Sequence, residues 1–168
     1  MADRIRGLLF MFDLTGRVVV VSGASSGLGR QMAVGFAKQG ADLVVLARRM
    51  EKLESLAQEI RTFGRRCLPL QCDVTKSEMV DAAAKQAETE FGKIDVLVNC
   101  AGSAKNAGVL NMTNEEWDFT IDTDMNSVFY VTRAFGNIMK KGHYGRIINI
   151  ASMYGMVGNT AMDTVAYH

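Results

Sequence analysis

The sequence predicts an α/β domain on a doubly wound parallel sheet of about five strands. Short, continuously apolar runs such as Val18-Val19-Val20-Val21 have the composition of strands buried on both faces. Each of the first four runs is followed by a stretch in which apolar residues recur at helical spacing. Glycines or capping signals punctuate the junctions, so strand and helix alternate along the chain, as right-handed crossovers between parallel strands require.

Arg17 to Ser22 is the first predicted strand. Leu28, Met32, Ala33 and Phe36 then mark a helix that stops at Gly40, where a terminal glycine cap belongs. Asp42 to Ala47 is the second strand, and Leu53, Leu56, Ala57 and Ile60 form the apolar face of a helix ending near Gly64. Arg66 to Gln71 reads as a weaker strand. Thr75-Lys76-Ser77-Glu78 has the spacing of a capping box, opening a helix with Val80, Ala83, Ala84, Ala87 and Phe91 inward. Asp95 to Asn99 is the fourth strand. A second capping box, Thr113-Asn114-Glu115-Glu116, starts the longest helix, with a predicted stripe of Trp117, Ile121, Met125, Val128, Thr132, Phe135 and Met139. Arg146 to Ile150 is the fifth strand, and no convincing period follows it.

The 168 residues suit one domain, read as a lead-in over 1–16 and a single partial domain over 17–168. Nineteen basic and 18 acidic side chains leave a formal charge of +1, which gives no field to draw the chain onto nucleic acid or an anionic membrane. No stretch approaches the roughly 20 apolar residues of a membrane helix. Cys67, Cys72 and Cys100 form no C-x-x-C pair and cannot all pair within the chain, so a reducing, cytoplasmic setting is expected.

The most informative segment is Ser22-Gly23-Ala24-Ser25-Ser26-Gly27-Leu28-Gly29, which joins a buried strand directly to a helix start. Glycines there let backbone approach a phosphate, and the helix N-terminus offers free N–H groups and a positive dipole end. A plain tight turn would use the same residues, but the strand–turn–helix context favours dinucleotide binding. At the end of the second strand, where a carboxylate would bond the ribose hydroxyl of NAD, stand Arg48 and Arg49, which suit the 2′-phosphate of NADP. NADP is therefore the expected cofactor, with NAD as the alternative.

The glycine motif, Asn99-Cys100-Ala101-Gly102 after strand four, Ser152 after strand five and Tyr167 beyond it resemble, in order, the motifs of short-chain dehydrogenases/reductases. The resemblance implies a Rossmann-like sheet, here incomplete, and hydride transfer between NADP(H) and a secondary alcohol or ketone. By the same resemblance, Gly23, Ser25, Ser26, Gly27, Leu28 and Gly29 would face the pyrophosphate, and Asp73 and Val74 the adenine. Asn99, Ala101 and Gly102 would steady the sheet beside the cofactor, with Cys100 at a position where asparagine is common. Ser152 would hold the substrate oxygen and Tyr167 would be the general acid/base, with Tyr154 as a substitute.

Two departures bear on catalysis. The family's lysine falls four residues after the tyrosine, whereas this sequence ends one residue after Tyr167. Asp124 stands where the family has an asparagine that supports a proton-relay water, and an ionised carboxylate only accepts hydrogen bonds. Impaired catalysis is therefore expected, with a non-catalytic nucleotide-binding or interaction module as the alternative. Around Ser152-Met153-Tyr154-Gly155 the chain is loosely similar to gluconate-5-dehydrogenase-like and oxoacyl-carrier-protein-reductase-like members. An uncovered strand edge and helix face are expected, and with them a homo-oligomer.

Overall fold

The computed structural model describes residues 12–103, 108 and 110–152. Its strands are β1 (Val18–Ser22), β2 (Asp42–Ala47), β3 (Cys67–Gln71), β4 (Val96–Asn99) and β5 (Arg146–Asn149). They form one sheet in the order β3-β2-β1-β4-β5, and every neighbouring pair is parallel. The helices are α1 (Gly27–Lys38), α2 (Met50–Thr62), α3 (Ser77–Phe91), α4 (Asn114–Ile121) and α5 (Ser127–Lys141).

Alternation along β1 explains why both sheet faces are covered. Val19 and Val21 pack with Leu43 and Val45 against Ala33 and Ala37 of α1 and Leu53, Leu56 and Ile60 of α2. Val18 and Val20 point the other way, toward Val80 and Ala84 of α3 and Val131, Phe135 and Ile138 of α5. A strand buried on both faces needs apolar residues at every position, which is why β1 shows no polar alternation. The chain passes from β1 outward to β2 and β3, then returns to place β4 and β5 on the other side of β1. The strand order thus reverses between β1 and β4, and the crevice beyond their carboxyl ends is where such sheets take ligands.

At the opposite end, Asp95 ties three strands together. Its side chain, 5% exposed, accepts from the Val18 amide and from Arg17 and Lys93, all at 2.9 Å, while its carbonyl accepts from the Arg146 amide. Burial opposes ionisation here, but the hydrogen bonds from Lys93, Val18 and Arg17 prevail and hold the carboxyl below the usual aspartate range.

Two sequence expectations are corrected. The first capping box does not form: the Thr75 hydroxyl and amide both bond to Asp73 Oδ1, at 2.8 and 3.1 Å, and Lys76 takes the cap position without a side-chain bond. Thr75 prefers the nearer carboxylate, giving an Asx-type turn instead. The Thr113–Glu116 box does form, with both reciprocal bonds.

The predicted long helix is the second correction, because Asp122–Asn126 between α4 and α5 is a π-helical turn. The hydroxyls of Thr120, Thr123 and Ser127 donate back to the carbonyls of Glu116, Phe119 and Thr123, and such back-bonding loosens the regular ladder. The wider turn rotates the helix phase. Trp117 and Met125 are left 47% and 60% exposed, and the buried face becomes Ser127, Val131, Ala134, Phe135, Ile138 and Met139.

Candidate nucleotide and substrate site

The β1–α1 loop is held by glycines with different tasks. Gly23 has φ +70°, and a Cβ there would lie 2.8 Å from the backbone of Cys100 and Ala101, so the loop rests directly on the chain leaving β4. A Cβ on Gly29 would come within 2.5 Å of the Gly23 carbonyl oxygen, so the first turn of α1 packs on the loop just as tightly. Gly27 also has a positive φ, +55°, but a Cβ there would meet nothing within 4 Å. Its outer side is open space.

Ser26 caps α1 with extended backbone and no side-chain hydrogen bond to the helix amides, and the first turn contains no acidic residue. The positive end of the helix is thus neither capped by an oxygen nor countered by a carboxylate, which suits an incoming anion. Leu28 is exposed on this turn. The loop is anchored to β2 by the Ala24 amide, which donates to Leu46 O.

Arg48 and Arg49 follow β2 and are both exposed. Arg49 turns back over the glycine loop, where its Nη2 donates to Ser25 Oγ at 2.9 Å and Ser26 Oγ at 3.1 Å. The Arg48 carbonyl accepts from Gln71 Nε2, joining the ends of β2 and β3. Asp73 is committed on Oδ1 to the Thr75 turn, and Val74 is buried in the core, so its side chain is turned away from solvent.

At the end of β4, Asn99 is buried and its Nδ2 donates to Thr132 Oγ1 of α5 at 3.0 Å and Asn149 Oδ1 of β5 at 2.8 Å. Ser22 Oγ accepts from the amides of Cys100 and Ala101, at 3.0 and 3.2 Å, binding the ends of β1 and β4 together. Ala101 is half-buried and Gly102 exposed. Sequence reasoning missed Thr132 and Asn149 as partners of Asn99. Their signal was present in a polar residue interrupting each otherwise apolar run.

Asp124 sits in the π turn, and its Oδ1 accepts from the Ser103 amide at 2.9 Å. Ser152, partly buried, follows β5, so it lies at the same end of the sheet as Asn99, which pairs with Asn149 in the register of β4 and β5. Tyr167 and Tyr154 fall outside the described residues. The structure therefore brings the glycine loop, Arg49 and the Asn99–Ser103 segment to one end of the sheet, at the β1/β4 switch.

Comparison with known proteins agrees with that architecture. The family model for short chain dehydrogenases matches residues 17–167. The 2-dehydro-3-deoxy-D-gluconate 5-dehydrogenase of Escherichia coli (strain K12) is 38% identical over 152 residues, covering 90% of this chain and 59% of that protein. A probable NADP-dependent mannitol dehydrogenase of Yarrowia lipolytica is 33% identical, covering 97% of this chain and 59% of its own length. Among solved structures, an NAD+-bound xylitol dehydrogenase superposes with a TM-score of 0.86 at 31% identity, over 91% of this chain and 58% of that one.

This chain belongs to the short-chain dehydrogenase family. It spans about three fifths of the length of the curated relatives it matches.

Proposed function

We propose that the protein is an oxidoreductase that binds NADP(H) at the β1–α1 loop and moves hydride between its nicotinamide and the carbon of a secondary alcohol or ketone. The observation that carries this reading is the Arg49 guanidinium seated on Ser25 and Ser26 beside the uncapped start of α1. A planar guanidinium near the end of β2 suits a phosphate on the adenosine ribose, and arginines rather than a carboxylate directly follow Ala47.

The residues present fit a dinucleotide. The open side of Gly27 and the first-turn amides of α1 would hold the pyrophosphate, with Ser25, Ser26, Leu28 and Gly29 shaping the turn and Gly23 giving it room. Arg49 and Arg48 would hold the 2′-phosphate. Asp73 and the Val74 backbone would border the adenine, and Asn99, Ala101 and Gly102 would line the inner end. When bound, the cofactor supplies or accepts the hydride. Ser152 would hold the substrate oxygen and Tyr167 would pass it a proton, a role in which a phenol needs a neighbouring positive charge at neutral pH. Turnover is proposed for the protein as a whole.

Self-association and a reducing, cytoplasmic setting belong to the same reading. Trp117, Met125 and Phe129, on α4, the π turn and α5, expose large apolar side chains that a second copy would cover. Among the described residues no helix is long and apolar enough to cross a membrane.

The test is titration of the purified chain with NADPH and, separately, NADH, followed by nicotinamide fluorescence. Saturable binding with NADPH preferred supports the reading. Preference for NADH removes the phosphate role of the arginines, and failure of a folded chain to bind either removes the dinucleotide site.

A further inference from the structure

Asp124 has one satisfied oxygen and one that is not. Oδ1 takes the Ser103 amide, while Oδ2 is fully buried and, among the described residues, is the buried side-chain atom without a hydrogen-bond partner. A buried carboxylate oxygen with no donor is costly, because it has given up water and gained nothing in return. The charged groups on the elements packed against the π turn are engaged or exposed elsewhere. Asp122 accepts from Asn126, Glu116 is held in the Thr113 cap, and Arg133 lies over the Phe129 ring near Asp81. Glu115 and Asp118 of α4 and Lys140 and Lys141 of α5 are exposed.

A neutral side chain lowers that cost, because an uncharged group is cheaper to bury than a charge. We propose that Asp124 positions the loop after β4 as a carboxylic acid, accepting the Ser103 amide at Oδ1 and keeping on Oδ2 a proton that it can donate to an acceptor in the site. Burial, the largest influence on this group, pushes its pKa up, and the Ser103 amide opposes that push. A neutral acid offers one acceptor and one donor, as an amide side chain does, whereas the ionised group offers acceptors alone. The widened π turn supplies the geometry, because it breaks the regular face of the helix where Asp124 meets Ser103.

The experiment begins with the unsubstituted protein. Its side-chain carboxyls are followed by carbon NMR against pH, and the Asp124 signal is assigned through its own Cβ protons. A titration midpoint above the ordinary 3.8 is expected. A midpoint at or below that value, or one so little above it that the group is ionised at neutral pH, overturns the proposal. The second arm rests on the cofactor reading: NADPH affinity is measured against pH for the unsubstituted chain and for Asp124→Asn. Affinity of the former is expected to fall as pH rises through the Asp124 midpoint, while D124N stays level across that range. Coincident profiles overturn the positioning role. If NADPH binds neither protein, the cofactor reading fails while the carboxyl titration still decides the state of Asp124.

Discussion

The Arg49 guanidinium reaches from the end of β2 to the Ser25 hydroxyl on the loop after β1, with Nη2 2.9 Å from Oγ. Two neighbouring strands thus share one cationic group at the mouth of the β1/β4 crevice. Replacing Arg49 by alanine removes a planar donor that a 2′-phosphate would engage, and hydrogen bonds to charged groups contribute about 1.5–3 kcal/mol each. NADPH affinity is expected to fall by roughly 10- to 100-fold, with NADH binding nearly unchanged. Paired fluorescence titrations of R49A check this, and an equal loss for both nucleotides would assign Arg49 to loop structure alone.

Gly29 tests the packing of the loop without touching charge. A methyl group there would sit 2.5 Å from the Gly23 carbonyl oxygen, which is backbone and cannot swing aside. Gly29→Ala must push α1 away from the loop, and overpacking of this kind costs about 1–3 kcal/mol. The urea midpoint should drop while Gly35→Ala, on the same helix with nothing within 4 Å of its Cβ, should leave it level or raise it.

Asp95 gives the pH dependence of the fold. Its folded-state pKa is depressed, so the unfolded chain binds more protons than the folded one between the two values. The stabilisation is complete above the ordinary value of 3.8 and is lost as pH falls through the lowered folded value. Asp95→Asn keeps an acceptor but not the charge facing Arg17 and Lys93. The gap in thermal midpoint between the two proteins should be widest at neutral pH and close in acid, and a constant gap would mean that the charge is irrelevant.

Much of this architecture was legible in the sequence because burial on both faces forces unbroken apolar strands. Val18 to Val21 and Leu43 to Leu46 announce themselves, and Gly40 and Gly64 end their helices with φ of +96° and +71°. The failures have local causes. Thr75 had two possible partners, and the carboxylate two residues before it won over the helix amide. The α4–α5 stripe held at Phe135 and Met139 but failed at Trp117 and Met125, where hydroxyls at Thr120, Thr123 and Ser127 bond backward, which a periodicity of apolar residues does not register. The placement of the glycine loop and Arg49 at the ends of β1 and β2 was readable from the strand pattern. The orphan oxygen of Asp124 was not, since it depends on a turn that only the folded helix reveals.

The cysteines give a separate check on the packing. Burial pushes the thiol of Cys67 up to about 12 and that of Cys72 up to about 11, and both side chains lie within the core. Only the thiolate reacts with alkylating reagents, so neither should be modified in the folded protein. Cys100, after β4, is half-buried, and burial raises its pKa as well, which predicts slow but measurable labelling there. Iodoacetamide at neutral pH followed by mass spectrometry should find Cys100 modified first, and Cys67 and Cys72 only at urea concentrations that unfold the chain. Early modification of Cys67 would mean that β3, the sheet edge with Pro69 in its ladder, opens independently of the rest.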